Sequence, residues 1–197
     1  MMWNERYSKP GYAYGTEPNE FLVSVAADIP KGKVLCIGEG EGRNAVYLAS
    51  LGHQVVAVDQ SEVGLAKARE LAAARGVTID TVAANLADFV IEPASYQAVV
   101  SIFCHLPTEL WTRVNKAAVA GIAPGGVYVL EAYRPEQLHL GTGGPREPER
   151  LLSLEKALAT LTGIHWKIAR EIERTVNEGE YHHGRAAVVQ LFGEVAR

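Results

Sequence analysis

The sequence predicts an α/β fold, a Rossmann-like three-layer sandwich with a mostly parallel, seven-stranded sheet and a terminal antiparallel hairpin. Short apolar runs, such as residues 34–37 and 98–104, alternate with helical segments, which is typical of parallel strands covered on both faces. Near the C-terminus two strand-like runs follow each other without a helix between them, which indicates the hairpin. The first apolar run also ends in three alternating glycines, Gly38, Gly40 and Gly42, where bare backbone and helix N–H groups can approach a ligand.

The bulk composition restricts the class of protein. The chain has 197 residues, 48% hydrophobic and 21% charged, which suits one packed domain. Its formal net charge of −4 argues against general binding to nucleic acid. No run approaches the ~18 apolar residues of a membrane span, and the N-terminus lacks the apolar core of a signal peptide. Cys36 and Cys104 lie in apolar runs rather than in metal-binding or secreted spacings. We therefore expect a cytoplasmic monomer or small homo-oligomer, without nucleic-acid or membrane partners.

A single domain is expected over residues 1–197, divided into an N-terminal lid segment and helix at 1–30 and a core sheet domain at 31–197. Aromatic and turn residues are dense over residues 3–14, and they would be wasteful in a free tail. They are expected to cover another part of the protein. A helix is predicted at 20–29 from its apolar spacing, ending before Pro30.

The core elements then alternate along the chain. Ser61 is predicted to cap a long Ala- and Leu-rich helix that stops at Gly76, because serine N-caps and glycines after the last turn are common helix ends. The other predicted elements are helices at 44–51, 107–121 and 149–161, strands at 54–58, 78–84, 127–133, 165–175 and 186–192, and hairpin-turn residues at 177–180 and 182–184.

The glycine spacing narrows the choice of ligand. The nicotinamide-binding fingerprint is G-x-G-x-x-G, whereas this chain has G-x-G-x-G. Asp59 ends the next strand, where a carboxylate can accept both hydroxyls of a ribose, although it could instead cap the following helix. Asn85 ends the third strand, where its amide could meet the amine of adenine, although it could be an ordinary turn residue. A nucleoside-containing ligand without the nicotinamide fingerprint is therefore indicated.

Four segments carry a resemblance to a known family: residues 3–7 (WNERY), 14–19 (YGTEPN), 40–44 (GEGRN) and 59–61 (DQS). With the glycine spacing and the terminal hairpin, the chain resembles the class I S-adenosylmethionine-dependent methyltransferases, and in particular the tellurite-resistance and thiol-methyltransferase branch. The resemblance covers roughly the whole chain. It implies S-adenosylmethionine as cofactor, S-adenosylhomocysteine as product, and an N-terminal segment folded over the cofactor.

The family match also implies which residues hold this cofactor. The glycines would let the backbone approach the amino-acid carboxylate, and Asp59 would bind the ribose. Asn85 and the Leu86 backbone would bind the adenine, and Tyr14 could face the sulfonium. The full expected cofactor set is Tyr14, Gly38, Glu39, Gly40, Gly42, Asn44, Asp59, Gln60, Asn85, Leu86 and Cys104. One departure concerns Cys36, which stands where the family usually has an acidic residue that anchors the cofactor's ammonium. Glu39 is the hypothetical substitute.

Candidate catalytic residues lie at the carboxyl ends of later strands, where ligands bind in open α/β sheets. His105 follows the fourth strand and could accept a proton, or could simply bond a backbone carbonyl. Arg134 follows the fifth strand and could hold an anionic substrate, or could pair with Glu131 or Glu136 on the surface. His183 and Arg185 in the hairpin could reach the same pocket. Adjacent histidines point to different sides of a strand, so no metal site is expected at the His182–His183 pair.

The function expected from these residues and from the resemblance is methyl transfer from S-adenosylmethionine to a small-molecule nucleophile. A thiol or a chalcogen oxyanion is the first choice, on the N-terminal resemblance alone. The alternative is a non-catalytic S-adenosylmethionine-binding module with a regulatory or partner-binding role.

Overall fold

The sheet at the centre of the protein has seven strands. The computed structural model describes residues 2–196, and its strands are β1 (Lys33–Ile37), β2 (Gln54–Asp59), β3 (Asp80–Ala83), β4 (Tyr96–Ile102), β5 (Ile122–Tyr133), β6 (Ile164–Glu178) and β7 (His182–Val195). Their order across the sheet is β3-β2-β1-β4-β5-β7-β6. Neighbouring strands from β3 to β5 are parallel, whereas β7 is antiparallel to both β5 and β6. The predicted fold class is confirmed.

Six helices accompany this sheet within residues 2–196: α1 (Met2–Tyr7), α2 (Glu20–Val25), α3 (Arg43–Ser50), α4 (Glu62–Ala74), α5 (Thr108–Gly121) and α6 (Leu154–Thr160). Short 3₁₀ turns occupy Ala26–Asp28, Pro135–His139 and Pro148–Arg150. Over the described residues, no helix is both long and apolar enough to cross a membrane.

The two faces of β1 explain its continuous apolar sequence. Leu35 and Ile37 are buried in the same cluster as Trp111 of α5, whereas Val34 and Cys36 belong to the cluster on the opposite face. A strand covered on both faces has no polar side, so its sequence does not alternate. The sheet therefore has a core on each side, and its functional groups collect at the carboxyl edge.

The C-terminal part differs from the prediction in two places. The helix predicted at 149–161 is a 3₁₀ turn followed by α6, because Ser153 starts a new helix by accepting a hydrogen bond from the Lys156 amide. The hairpin is longer than predicted, so His182 and His183 are paired strand residues rather than turn residues. Cross-strand pairing with β6 and burial against β5 override the local turn signal of Gly184.

Candidate cofactor and acceptor site

The loop after β1 requires glycine at two positions. Gly38 and Gly40 both have φ of 63°, a conformation that favours glycine. A Cβ at Gly38 would lie 2.5 Å from Cys104 Sγ, and one at Gly40 would lie 2.5 Å from the Tyr7 hydroxyl. Cys104 and Tyr7 therefore contact the loop directly, and any side chain at either glycine would displace them.

Gly42 has a packing role. A Cβ there would lie 2.5 Å from Cβ of Ala68, so this glycine lets α3 approach α4. The third glycine of a dinucleotide fingerprint likewise allows close packing of its helix. Gly42 shapes the site through this helix contact.

Asp59 ties the glycine loop to the end of β2. Its Oδ2 accepts a hydrogen bond from the Gly40 amide at 2.9 Å, and its Oδ1 accepts one from the Ser61 amide at 2.8 Å. Ser61 Oγ caps α4 by accepting from the Gly64 amide at 3.1 Å. The helix cap is thus Ser61, while Asp59 is a buried anchor whose pKa is raised by burial. With the Gln60 amide as a third backbone partner, the carboxylate still retains acceptor capacity for a ligand hydroxyl.

Glu39 points back onto the start of α3. Its Oε1 accepts hydrogen bonds from the amides of Asn44 at 3.0 Å and Ala45 at 2.8 Å, where the helix dipole favours a negative charge. Among the described residues, none donates a hydrogen bond to Oε2. Burial raises the pKa of Glu39 to about 7 against the opposing effect of the two amides, and the negative charge of Asp59 raises it further.

Cys36, at the position where the family has its acidic residue, lies inside the core. It is fully buried in the cluster that contains Phe21 and Leu48, and burial raises the pKa of its thiol well above the ordinary value. An uncharged thiol in an apolar core is no counterpart to a carboxylate at the cofactor loop.

The other predicted cofactor residues occupy varied positions. Asn44 Oδ1 accepts a hydrogen bond from the Asn19 amide at 2.9 Å, which ties α3 to the N-terminal segment. Asn85 is exposed, and its Oδ1 accepts from the Ala87 amide at 2.9 Å, so its oxygen closes its own turn. Gln60 is exposed beside Asp59, and Leu86 is buried after β3.

The N-terminal segment covers the glycine loop. Tyr7 is 5% exposed and packs between Gly40 and Gly64. Further along, the Ala13 amide donates to Glu41 Oε2 at 2.7 Å. Because Glu41 is part of the glycine loop, it holds the covering segment directly over that loop.

Tyr14 continues this cover towards the hairpin. Its hydroxyl accepts a hydrogen bond from Arg6 at 2.7 Å, and its ring lies 6.4 Å from the ring of Tyr7 and 4.6 Å from that of His182. The aromatic side chains thus run without interruption from the glycine loop to β7.

Four rings beside this path form a group that we call the acceptor cluster: Phe103, His105, Tyr133 and His182. Phe103 stacks on Tyr133 at 4.5 Å, and His105 stacks on Tyr133 at 5.4 Å with an angle of 15°. His182 meets Tyr133 edge-on at 5.2 Å. Phe103 has φ of 52°, which is rare for an aromatic residue and costs backbone energy. The strained turn after β4 directs both Phe103 and His105 towards Tyr133.

The tautomer of His105 follows from its partner. Its Nδ1 lies 3.3 Å from the Arg150 carbonyl oxygen, which can only accept, so Nδ1 carries the proton. Nε2 then has a free lone pair, and it is buried without a partner. Burial lowers the pKa of His105 to about 3, and nearby His182 and Arg150 contribute. His105 is a neutral imidazole with an available acceptor nitrogen.

Two further polar atoms of the cluster lack hydrogen bonds. The Tyr133 hydroxyl is buried without a partner in a side chain that is 0% exposed. His182 Nδ1 is also unpartnered, since Glu178 Oε2 lies 3.9 Å away. Burial lowers the pKa of His182 even though Glu178 opposes this. Buried polar atoms are nearly always paired, so three unpaired ones in a single cluster make it a candidate place for a ligand.

Three predicted catalytic residues point away from this cluster. Arg134, whose side chain is 16% exposed, pairs with Glu136, one of the two partners named in the alternative, and with Glu171. The ring of His183 is exposed and bonds Asn177.

Arg185 has a 71% exposed side chain and pairs with Glu173 across the hairpin. The prediction that His183 and Arg185 reach the pocket is therefore corrected: the alternation along β7 turns His182 inward and its neighbour outward. Of the four predicted catalytic residues, the structure places His105 in the cluster.

A buried polar network supports both halves of the site. Glu131 of β5 accepts hydrogen bonds from Asn19 at 2.5 Å and Arg174 at 2.7 Å, and Glu178 pairs with Arg43 of α3 at 2.5 Å. Asn19 also donates to Glu178 at 2.8 Å. The network joins the N-terminal segment, the glycine-loop helix and the hairpin. The sequence signal for Asn19 was its place in the segment 14–19. Tyr133 ends the fifth strand beside Arg134 and His182 lies beside His183, both at positions predicted to face the pocket, whereas Phe103 had no distinctive local pattern.

Known proteins share this domain and fold. Residues 34–126 match the family described as a methyltransferase domain. A curated relative, the 2-heptyl-1-hydroxyquinolin-4(1H)-one methyltransferase of Mycobacteroides abscessus, is 28% identical over 148 residues. The aligned part is 72% of this chain, and the chain spans 65% of that relative's length.

Solved structures extend the similarity to nearly the whole chain. A structure concerned with the conversion of a disulfide bond into a thioacetal group during echinomycin biosynthesis has a TM-score of 0.78 at 18% identity, covering 98% of this chain and 88% of its own. TehB from Haemophilus influenzae has a TM-score of 0.75 at 18% identity, and the superposition covers 98% of this chain and 65% of the TehB chain. Residues 34–126 therefore match a methyltransferase domain, and the chain shares the fold of these solved structures, in agreement with the resemblance to the class I S-adenosylmethionine-dependent methyltransferases.

Proposed function

We propose that the protein transfers a methyl group from S-adenosylmethionine to a small-molecule acceptor. The observation that carries this proposal is the contact between the two halves of the site: Cys104 lies against Gly38, and the next residue, His105, belongs to the acceptor cluster. A methyl group held over the glycine loop would thus be next to the acceptor. Bringing two reactants together in this way is the main source of catalysis in a direct displacement.

The loop fits the parts of this cofactor, which has an ammonium, a carboxylate, a ribose and an adenine but no phosphate. Glu39 Oε2 would pair with the ammonium, since this oxygen accepts no hydrogen bond from the described residues. Asp59 would accept the ribose hydroxyls, with Gln60 beside it. Asn85 Nδ2 and the Leu86 backbone would meet the adenine. When bound, the cofactor supplies an electrophilic methyl group on a sulfonium.

A small acceptor suits the cover over the cluster. A Cβ at Gly144 would lie 2.7 Å from the Tyr133 ring, so the loop that contains Gly143 and Gly144 packs directly on this residue. Gln137 holds that loop by donating to the Gly143 carbonyl at 3.1 Å. A macromolecular acceptor would have to displace this loop.

The relatives' names give two acceptor chemistries, a hydroxyquinolone and a disulfide converted to a thioacetal. The sequence resemblance adds a third, that of the tellurite-resistance and thiol-methyltransferase branch. A thiol or chalcogen oxyanion is consistent with the latter two. For the protein as a whole, a cytoplasmic location and a monomeric or small homo-oligomeric state stay part of the proposal.

The test combines binding and turnover. Titration calorimetry with S-adenosylhomocysteine is expected to show binding, with no heat from NAD as the control ligand. Formation of S-adenosylhomocysteine is then measured with panels of hydroxylated rings, thiols and oxyanions. Tight product binding without turnover of any acceptor would favour the non-catalytic binding module, and no product binding would refute both.

A further inference from the structure

The acceptor cluster restricts the chemistry of the acceptor itself, and the inference about it rests on the proposed methyl transfer. Besides Nδ1 of His182, which faces Glu178 at 3.9 Å, the hydrogen-bonding capacity left open in the cluster comprises a lone pair on His105 Nε2 and the hydroxyl of Tyr133. A ligand that satisfies the latter two must offer a proton to the imidazole and an oxygen to the phenol. An unprotonated oxyanion offers no proton, and it would face the lone pair of Nε2.

Three of the cations near the cluster are already engaged. Arg43 pairs with Glu178, and Arg174 pairs with Glu131, so the guanidinium charges behind Tyr133 are matched by carboxylates. On the lid side, Arg6 donates to the Tyr14 hydroxyl.

Arg150 donates to the His105 carbonyl oxygen at 3.4 Å and keeps one buried N–H, at Nε, without a partner. This guanidinium is therefore the group that an anionic acceptor would need. His105 and His182 are both held neutral by burial and add no positive charge.

The cluster is made of flat rings. The ring of Phe103 lies 33° from parallel to that of His105, the ring of His105 lies 15° from parallel to that of Tyr133, and His182 meets Tyr133 edge-on. Offset and edge-on aromatic contacts favour a planar ligand over a compact inorganic ion. The strained backbone of Phe103 orients its ring within the cluster.

We infer that the acceptor is an uncharged, hydroxylated aromatic or heteroaromatic ring whose hydroxyl group donates its hydrogen bond to His105 Nε2. The hydroxyl oxygen attacks the methyl carbon, so that the oxygen–carbon bond forms while the carbon–sulfur bond breaks with its electron pair left on sulfur. The hydroxyl proton passes to Nε2, and the imidazolium then releases it to water.

The weak basicity of His105 agrees with this order of events. A base with a pKa of about 3 cannot ionise a neutral hydroxyl or thiol beforehand. It can accept a proton from the strongly acidic oxonium that develops as the methyl group arrives, because an imidazole is far more basic than a protonated ether.

The experiment compares 1-naphthol, which is neutral near neutral pH, with thiophenol, which is largely ionised, and with tellurite. The 1-naphthol kcat/KM is expected to exceed the other two by at least about tenfold, which corresponds to one good hydrogen bond. His105→Asn keeps a donor for the Arg150 carbonyl and removes Nε2, and it should lower kcat by about 10²–10³. Arg150→Gln keeps the backbone carbonyl that His105 uses and removes the guanidinium that an anionic acceptor would need. The matched control is Arg185→Gln, at an exposed hairpin residue paired with Glu173, which should leave kcat/KM within about threefold.

A readout independent of turnover is the ¹⁵N chemical shift of His105 Nε2 in the protein loaded with S-adenosylhomocysteine. This shift should move when 1-naphthol is added and stay unchanged with tellurite. Preference for thiophenol or tellurite, together with a large loss in Arg150→Gln, would overturn the inference. Absence of 1-naphthol turnover in a protein that binds S-adenosylhomocysteine also overturns it, whereas absence of S-adenosylhomocysteine binding instead overturns the proposed function.

Discussion

The cofactor side and the acceptor side of this site are built in opposite ways. The glycine loop is one continuous stretch of chain, residues 38–45, closed by local hydrogen bonds such as those from the Asn44 and Ala45 amides to Glu39. The acceptor cluster collects Phe103 and His105 after β4, Tyr133 from β5 and His182 from β7. A site made from one segment depends on backbone conformation, and a site made from three elements depends on strand register. Substitutions should therefore affect the two sides through different quantities.

The largest effect expected on ligand binding is on the cofactor side, at Gly38. Gly38→Ala places a Cβ 2.5 Å from Cys104 Sγ and forces a left-handed conformation on alanine. These effects should weaken S-adenosylhomocysteine binding by about 10–100-fold, the equivalent of 1–3 kcal/mol of strain. Calorimetric titration measures this change.

Gly52→Ala is the matched control. Gly52 also has a positive φ, of 89°, but a Cβ there meets nothing within 4 Å. The Gly52→Ala substitution should lower the free energy of unfolding by about 1 kcal/mol and leave the affinity for S-adenosylhomocysteine unchanged. Equal loss of affinity in both variants would show that the contact with Cys104 does not account for the weaker binding of Gly38→Ala.

The second effect is the pH dependence of cofactor binding. Without cofactor, Glu39 has a pKa of about 7, raised from its ordinary 4.5, so it is mostly protonated below pH 7. Pairing with an ammonium requires the ionised form, so binding releases a proton and weakens as the pH falls. At one unit below this pKa, about a tenth of Glu39 is ionised, which predicts about tenfold weaker binding than at high pH.

Calorimetry at several pH values, in buffers with different ionisation enthalpies, would detect the released proton. Glu39→Gln should bind more weakly at high pH and lose this pH dependence. A steep dependence that persists in Glu39→Gln would assign the titration to another group.

On the acceptor side, Tyr133→Phe separates function from stability. The Tyr133 hydroxyl is buried without a partner, so its removal should stabilise the ligand-free protein by about 1 kcal/mol. The same change should raise KM for the acceptor, because the ligand loses its donor. Thermal unfolding and steady-state kinetics measure the two effects.

Tyr128→Phe provides the contrast, because Tyr128 is equally buried but donates to Asn115. This change leaves the Asn115 oxygen unpaired and should destabilise the protein by about 1–3 kcal/mol. Destabilisation of Tyr133→Phe to the same extent would mean that its hydroxyl has a partner in the free protein.

The smallest effect tests the strained turn. At Phe103, where φ is 52°, glycine should be more stable than alanine by about 1 kcal/mol. At the neighbouring Ile102, a strand residue without positive φ, the order should reverse. Denaturant unfolding of the four variants measures both differences, and the same order at both positions would rule out strain at Phe103.

Much of the fold was predictable because its signals are local. The parallel strands follow from apolar runs, and the caps at Ser61 and Asn19 follow from side chains that accept from nearby amides. The extent of the hairpin was not predictable in this way. Gly184 and the two histidines resemble a turn, and only pairing with β6 over its whole length makes them strand.

The sequence by itself determined the strand–glycine–helix loop, the anchoring carboxylate Asp59 and the histidine after β4. Each of these depends on backbone conformation or on position at a strand end, which adjacent residues encode. Tertiary structure decided that Cys36 faces the core, that His182 rather than His183 turns inward, and that Phe103 and Tyr133 stack. These outcomes depend on which face of a strand is buried and on the register between distant strands, where a shift of one residue would reverse every side chain.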